Sequence, residues 1–300
     1  MQRSIGVALA VCLSASTLAA QGAPPGTDIY LVRLRGAPAG AIDGPPVNLT
    51  HRAGYDNQPA FTPDGRTLLY TSIRADGQAD IYRVDLGSRT VTQLTHTPES
   101  EYSPTPMPTG GGFSVVRVER DSAQRLWAFN AEGRSPALLL PHIAPVGYHV
   151  WLNDHTLALF VLGTPNALEI ADTQTGDART IAHDIGRSLQ RVPGGARFSF
   201  LLRADSTWYL ETADPGVPDG ARRRIAPMPR RADYVAWASP TTVLTAAGTV
   251  VYRLDLSAGT GARWTPIADF KEDGLRNLSR LALSPDGAWL ALVAEPAAGP

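Results

Sequence analysis

The chain has almost no cysteine and almost no lysine. Its single cysteine, Cys12, lies in an apolar N-terminal stretch, so the remainder has no thiol. That excludes a disulfide framework and thiol chemistry there, and it suits an oxidising compartment. Of 27 basic residues only Lys271 is lysine, a bias that reads as genome composition and not as a binding signal. The formal charge is −1, which leaves no electrostatic footprint for nucleic acid. No apolar run reaches the ~20 residues that a membrane-spanning helix needs. Local catalytic signatures are missing as well. There is no G-x-S-x-G elbow, H-E-x-x-H, G-x-G-x-x-G or Walker A sequence.

What is present is a repeat. Phe61-Thr-Pro63-Asp64-Gly65 returns as Leu283-Ser-Pro285-Asp286-Gly287, with weaker copies around Pro108, Asn153, Pro193 and Ser239. Successive steps are 45, 45, 40, 46 and 46 residues. Such a period marks repeated supersecondary units, none able to bury its apolar face alone. Pro-Asp-Gly itself reads as a turn, because Pro presets φ and Gly accepts positive φ. An apolar run, Thr67 to Ser72, follows it. Asp80-Ile-Tyr82-Arg-Val-Asp85 then alternates as a half-buried strand does, and Val91 to Thr95 completes four strands.

The ends complete the count. Ser279 to Leu283 and Trp289 to Val293 supply two strands of a final repeat. Asp28 to Leu34 and Val47 to Thr50 supply the other two, and Asp28-Ile-Tyr30 copies Asp80-Ile-Tyr82. Five full repeats and one split repeat predict an all-β, six-bladed β-propeller of four-stranded blades, closed by N-terminal strands that complete the C-terminal blade. An open solenoid would not need complementary ends.

Residues 1–19 read as a cleavable signal peptide. Arg3 is its positive start, Ile5 to Leu13 its apolar centre, and small residues precede Ala19. Residues 20–27 are a linker and 28–300 one propeller domain. The expected location is periplasmic or secreted. Leu9-Ala-Val-Cys12 is a poor lipid-attachment sequence because Val11 stands where a small residue is expected.

Leu49-Thr50-His51, Asp56-Asn57-Gln58-Pro59-Ala-Phe61-Thr-Pro63-Asp64-Gly65 and Asp80-Ile-Tyr82 together resemble the repeat of TolB-type propellers. The same residues are similar to the propeller domains of dipeptidyl-peptidase-like proteins. A second copy starts at Leu94-Thr95-His96, and the resemblance extends over residues 28–294. It covers the propeller alone; with local catalytic signatures missing, the preferred expectation is an exported, non-catalytic propeller, monomeric and without cofactor, that binds a protein or peptide in the cell envelope. The alternative is an envelope enzyme, a polysaccharide lyase or hydrolase working in the channel, whose groups would come from several loops.

Several residues compete as candidates. His51, His96, His142 and His183 share one repeat position after the fourth strand. That strand is the outermost, roughly 20 Å from the axis at ~4.8 Å per strand, too far apart for a common metal with bonds of ~2 Å. No metal site is expected. Tyr30, Tyr82, Trp127, Tyr209 and Tyr252 also share a register and read as packing between blades. Arg222-Arg223-Arg224 and Arg230-Arg231 read as charge protecting an exposed edge or as a contact for an acidic partner or membrane surface. The preferred binding site is the channel mouth, where loops returning from the outer strands converge. Their last residues are Asp56, Asn57, Glu101, Tyr102, Tyr148, Arg187, Asp233, Arg276 and Asn277.

Overall fold

The computed structural model describes residues 24–36 and 38–296. The expected signal segment lies outside these residues. In chain order, β1 (Asp28–Arg35) and β2 (Ala41–Asn48) come first. A blade of β3 (Tyr55–Phe61), β4 (Thr67–Ile73), β5 (Ala79–Asp85) and β6 (Val91–Gln93) follows. The next is β7 (Ser100–Pro106), β8 (Gly112–Val118), β9 (Gln124–Asn130) and β10 (Ala137–Leu139). The third is β11 (Val146–Trp151), β12 (Thr156–Val161), β13 (Ala167–Asp172) and β14 (Ala178–His183). The fourth is β15 (Ile185–Arg191), β16 (Phe198–Ala204), β17 (Thr207–Ala213) and β18 (Arg223–Pro227). The fifth is β19 (Val235–Ser239), β20 (Thr242–Ala247), β21 (Val250–Asp255) and β22 (Trp264–Asp269). The last joins β23 (Leu281–Leu283) and β24 (Trp289–Ala294) to β1 and β2 in the order β2-β1-β24-β23.

The split blade is thus as expected, with Asp28 opposite Ala294 and Arg33 opposite Trp289. One boundary differs. The outer strand β2 runs from Ala41 to Asn48, through Pro45 and Pro46, and not from Val47 to Thr50. Proline lacks the ladder donor, but on the outermost strand that side faces solvent, so the loss is small. Thr27 ties this blade to the next. Its N–H donates to the Gly54 carbonyl at 2.9 Å, and its own carbonyl accepts from Asp56 N at 2.9 Å.

Each blade buries apolar residues on both faces. In β4, Leu68 and Tyr70 pack with Ile29, Leu31 and Val293 of the preceding blade, whereas Leu69 packs with Phe113, Val115 and Phe129 of the following one. Six such clusters occur, one at each junction between adjacent blades. The first strand of every blade touches those of its two neighbours, so these six strands form the innermost ring. The two sharp Pro-Asp-Gly copies are turns. Asp64 Oδ1 accepts from Thr62 Oγ1 at 2.6 Å and Arg66 N at 3.0 Å, and Asp286 repeats this with Ser284 and Ala288. Gly65 and Gly287 hold φ of 68° and 70°, the left-handed region that suits glycine.

Candidate functional site

The six innermost strands enclose a channel with a cavity of about 290 Å³, lined by residues of all six blades. At the end where these strands begin stand Tyr55, Tyr102, Tyr148, Arg187, Tyr234 and Arg280, one from each blade. The guanidinium of Arg280 lies over the rings of Tyr234 at 4.2 Å and Tyr148 at 4.9 Å. Its Nη2 donates to the Tyr148 hydroxyl at 3.0 Å. Arg187 lines the same cavity and is exposed.

The phenols report this electrostatic setting. Burial raises Tyr55 to about 12, against the pull of Arg280 and with Tyr148, Tyr234 and Tyr102 nearby. Burial also acts upward on Tyr148, but Arg280 and Arg187 overcome it and hold that phenol below its ordinary value. Tyr234 is raised, chiefly by burial. The mouth is therefore a cationic centre framed by phenols.

Beside it lies a depression of about 200 Å³ that shares Arg187 and Tyr234 with the channel. Phe160, Ile185, Leu201 and Trp208 form its apolar wall. Gly186 lets the strands pack closely beneath it, since a Cβ there would stand 3.0 Å from Leu201 Cβ and 3.4 Å from Trp208 Cζ3.

The residues expected at the mouth separate into groups. Tyr102, Tyr148 and Arg187 stand there, and Asp233 is exposed on the edge of the depression. Asp56 and Glu101 are instead fully buried. Asp56 Oδ2 meets Arg52 Nε at 3.0 Å, and Glu101 Oε1 meets Arg117 Nε at 3.0 Å. Burial nevertheless raises both carboxyls. Asn57 is buried, with Oδ1 accepting from Gln58 N at 2.8 Å. Arg276 and Asn277 are exposed and tied to the C-terminal end of β24, Arg276 to the Pro296 carbonyl and Asn277 to Glu295 Oε2 at 2.9 Å.

Tyr55, Tyr234 and Arg280 were not anticipated. Tyr55 and Tyr234 are direct neighbours of Asp56 and Asp233, so the error is one of strand parity, where one residue exchanges opposite sides of the sheet. The signal was a tyrosine at or beside the start of the first strand in four blades, at a spacing blurred by bulges between Asn57 and Ala60 and between Tyr102 and Thr105.

Deeper in the channel wall, His149 Nε2 lies 2.6 Å from Ser114 Oγ. A Ser–His pair can signal nucleophilic catalysis, but this network reads otherwise. Ser114 Oγ accepts from Trp151 Nε1 at 2.9 Å and donates to the Thr105 carbonyl at 3.3 Å. The serine is thus tied to a tryptophan and a backbone carbonyl inside the wall, as a packed structural hydroxyl is. The same Trp–Ser contact recurs as Trp237 Nε1 to Ser199 Oγ at 2.8 Å, where no histidine is present. His51, His96, His142 and His183 are exposed. Among the described residues no three His, Cys, Asp or Glu side chains gather as a metal centre requires.

This architecture defines a TolB-like six-bladed β-propeller fold. A solved structure from Agrobacterium tumefaciens, provisionally assigned as TolB, is similar with a TM-score of 0.70 at 15% identity, over 90% of this chain and 98% of the other. An oligogalacturonate lyase in complex with manganese is similar with a TM-score of 0.56 at 14% identity, over 84% and 80% of the two chains. In sequence, an uncharacterised protein, Atu1656, of Agrobacterium fabrum is 32% identical over 78 residues, a stretch spanning 26% of each protein. No protein-family model matches the chain. Proteins of different activity share this fold, so function has to be argued from the site.

Proposed function

We propose that the protein is an exported propeller that binds a protein or peptide partner at the channel mouth. The observation that carries this reading is the convergence of Tyr55, Tyr102, Tyr148, Arg187, Tyr234 and Arg280, one from each blade, on one opening. Blade interiors carry the repeat's apolar residues and serve closure. The mouth combines polar groups drawn from all six blades with a concavity, which is what specific recognition needs. Tyrosine and arginine are enriched where proteins bind tightly, because each offers large area with a polar tip. Residues 1–19, with their apolar centre from Ile5 to Leu13, would direct export.

The test is capture of a partner from the envelope fraction by the full chain, followed by direct binding of the purified partner. Arg187→Ala is expected to weaken that binding by at least about tenfold, as loss of one charge-assisted contact does. Arg223→Ala, on the outermost strand β18, is expected to leave it unchanged. The reverse pattern would move the site to the blade edge and overturn the proposal.

A further inference from the structure

The channel carries positive charge with no carboxylate in its lining. Every other arginine that is firmly held in this protein by a carboxylate shows a short contact: Arg52 on Asp56, Arg117 on Glu101 and Arg224 on Glu211, all at 3.0 to 3.1 Å. Among the described residues neither Arg187 nor Arg280 has such a partner. No aspartate or glutamate lines the channel cavity at all. Arg280 makes one hydrogen bond, to the Tyr148 hydroxyl, and has four further N–H donors. A guanidinium taken largely out of water without an anion is costly, and the cost disappears when an anion arrives.

The geometry also prepares that cation for use. The Tyr148 and Tyr234 rings both pack against the Arg280 guanidinium, so less freedom remains to be lost on binding. A planar guanidinium fork matches a carboxylate through two parallel hydrogen bonds. Arg187 stands on the same opening and is free of internal bonds among the described residues, so it can close on the ligand from the next blade but one.

We propose that the mouth recognises a carboxylate carried by a peptide, held between Arg280 and Arg187, with an adjacent apolar side chain seated in the neighbouring depression. This rests on the peptide-binding reading and names its chemistry. The depression favours a peptide over a free anion or a sugar acid. Trp208, half-buried and backed by the buried Phe160, Ile185 and Leu201, offers apolar surface next to Arg187, which inorganic phosphate and a uronic acid cannot use. Asp233 on its edge disfavours a second negative charge there, so the motif is one acidic group beside one apolar residue.

The experiment is titration calorimetry of the full chain with four probes: the blocked peptide acetyl-Ala-Phe-Glu-Ala-amide, its glutamine counterpart, inorganic phosphate and galacturonate. The glutamate peptide is expected to bind at least about tenfold more tightly than the other three. Arg280→Gln and Arg187→Gln are each expected to remove that preference, bringing the two peptides to equal affinity. Arg187 is exposed and makes no internal bond, so its variant remains informative if Arg280→Gln disturbs folding. Equal affinity for the two peptides, stronger binding of phosphate or galacturonate, or a preference indifferent to both arginines would overturn the proposal. If a captured partner still depends on Arg187 while the two peptides bind alike, only the carboxylate is lost. If no partner depends on Arg187, the peptide-binding reading falls with it.

Discussion

His149 shows how far one residue's surroundings can alter its chemistry. It is buried, no opposite charge faces it, and burial alone lowers its pKa from 6.5 to about 3. The unfolded chain therefore takes up a proton near pH 6.5 while the folded one does not. Stability is fully present above pH 6.5 and falls as pH drops from there toward 3, by at most about 1.4 kcal/mol per pH unit from this group. His149→Gln keeps a hydrogen-bonding group for Ser114 and removes the titration. Its melting temperature is expected to fall less steeply than the wild type's between pH 6.5 and pH 3. Identical slopes would show that His149 protonates freely in the folded protein. Asp56 and Glu101 have raised pKa values and act in the opposite direction, but they are common to both proteins and cancel in the comparison. These two carboxylates also explain why polarity alone misleads along the sequence. Asp56 and Tyr55 are adjacent, and only the pleat decides that one enters an ion pair with Arg52 while the other stands at the mouth.

At the scale of elements, short polar contacts lock strands to each other where the repeat is strongest. Asp80 Oδ1 accepts from Thr95 Oγ1 at 3.2 Å, and Thr95 Oγ1 accepts from Ile81 N at 2.8 Å. Asp28 and Thr50 repeat the contact at 3.0 Å, with Ile29 N at 3.1 Å from the hydroxyl. The Asp-Ile-Tyr and Leu-Thr-His sequences are therefore two halves of one lock between third and fourth strands, which is why they occur together. The Trp–Ser contacts act between blades instead, joining β8 to the end of β11 and β16 to β19. Ser199→Ala should leave the buried Trp237 N–H unpaired and cost about 1–3 kcal/mol, read as a lower denaturant midpoint with unchanged slope. No loss would mean that the indole finds another acceptor. Turns, third strands and the pairing of the termini were legible because each repeats. β2 was misplaced at its start because Pro45 and Pro46 are tolerated on an outermost strand, a property of position in the sheet.

The molecule as a whole depends on closure. Six apolar clusters sit between six blades, and the N-terminal strands contribute to two of them, with Ile29 and Leu31 in one and Val32 and Leu34 in the other. Removing residues 20–50 exposes both junctions and unpairs β24. Thermal unfolding should then lose its single cooperative transition or shift far downward, and an unchanged melt would show that the remaining strands close without it. The sequence by itself determined the period, the number of blades and the split closure, because each follows from patterns repeated along the chain. The tertiary structure alone decided which residues form the mouth. Tyr55, Tyr148, Arg187 and Arg280 are separated by up to 225 positions, and no local pattern links them. They meet because six first strands converge on one axis, and bulges in those strands set which side chain of each turns inward. The charge of that centre, two arginines in a channel with no carboxylate in its lining, exists only once the ring has closed.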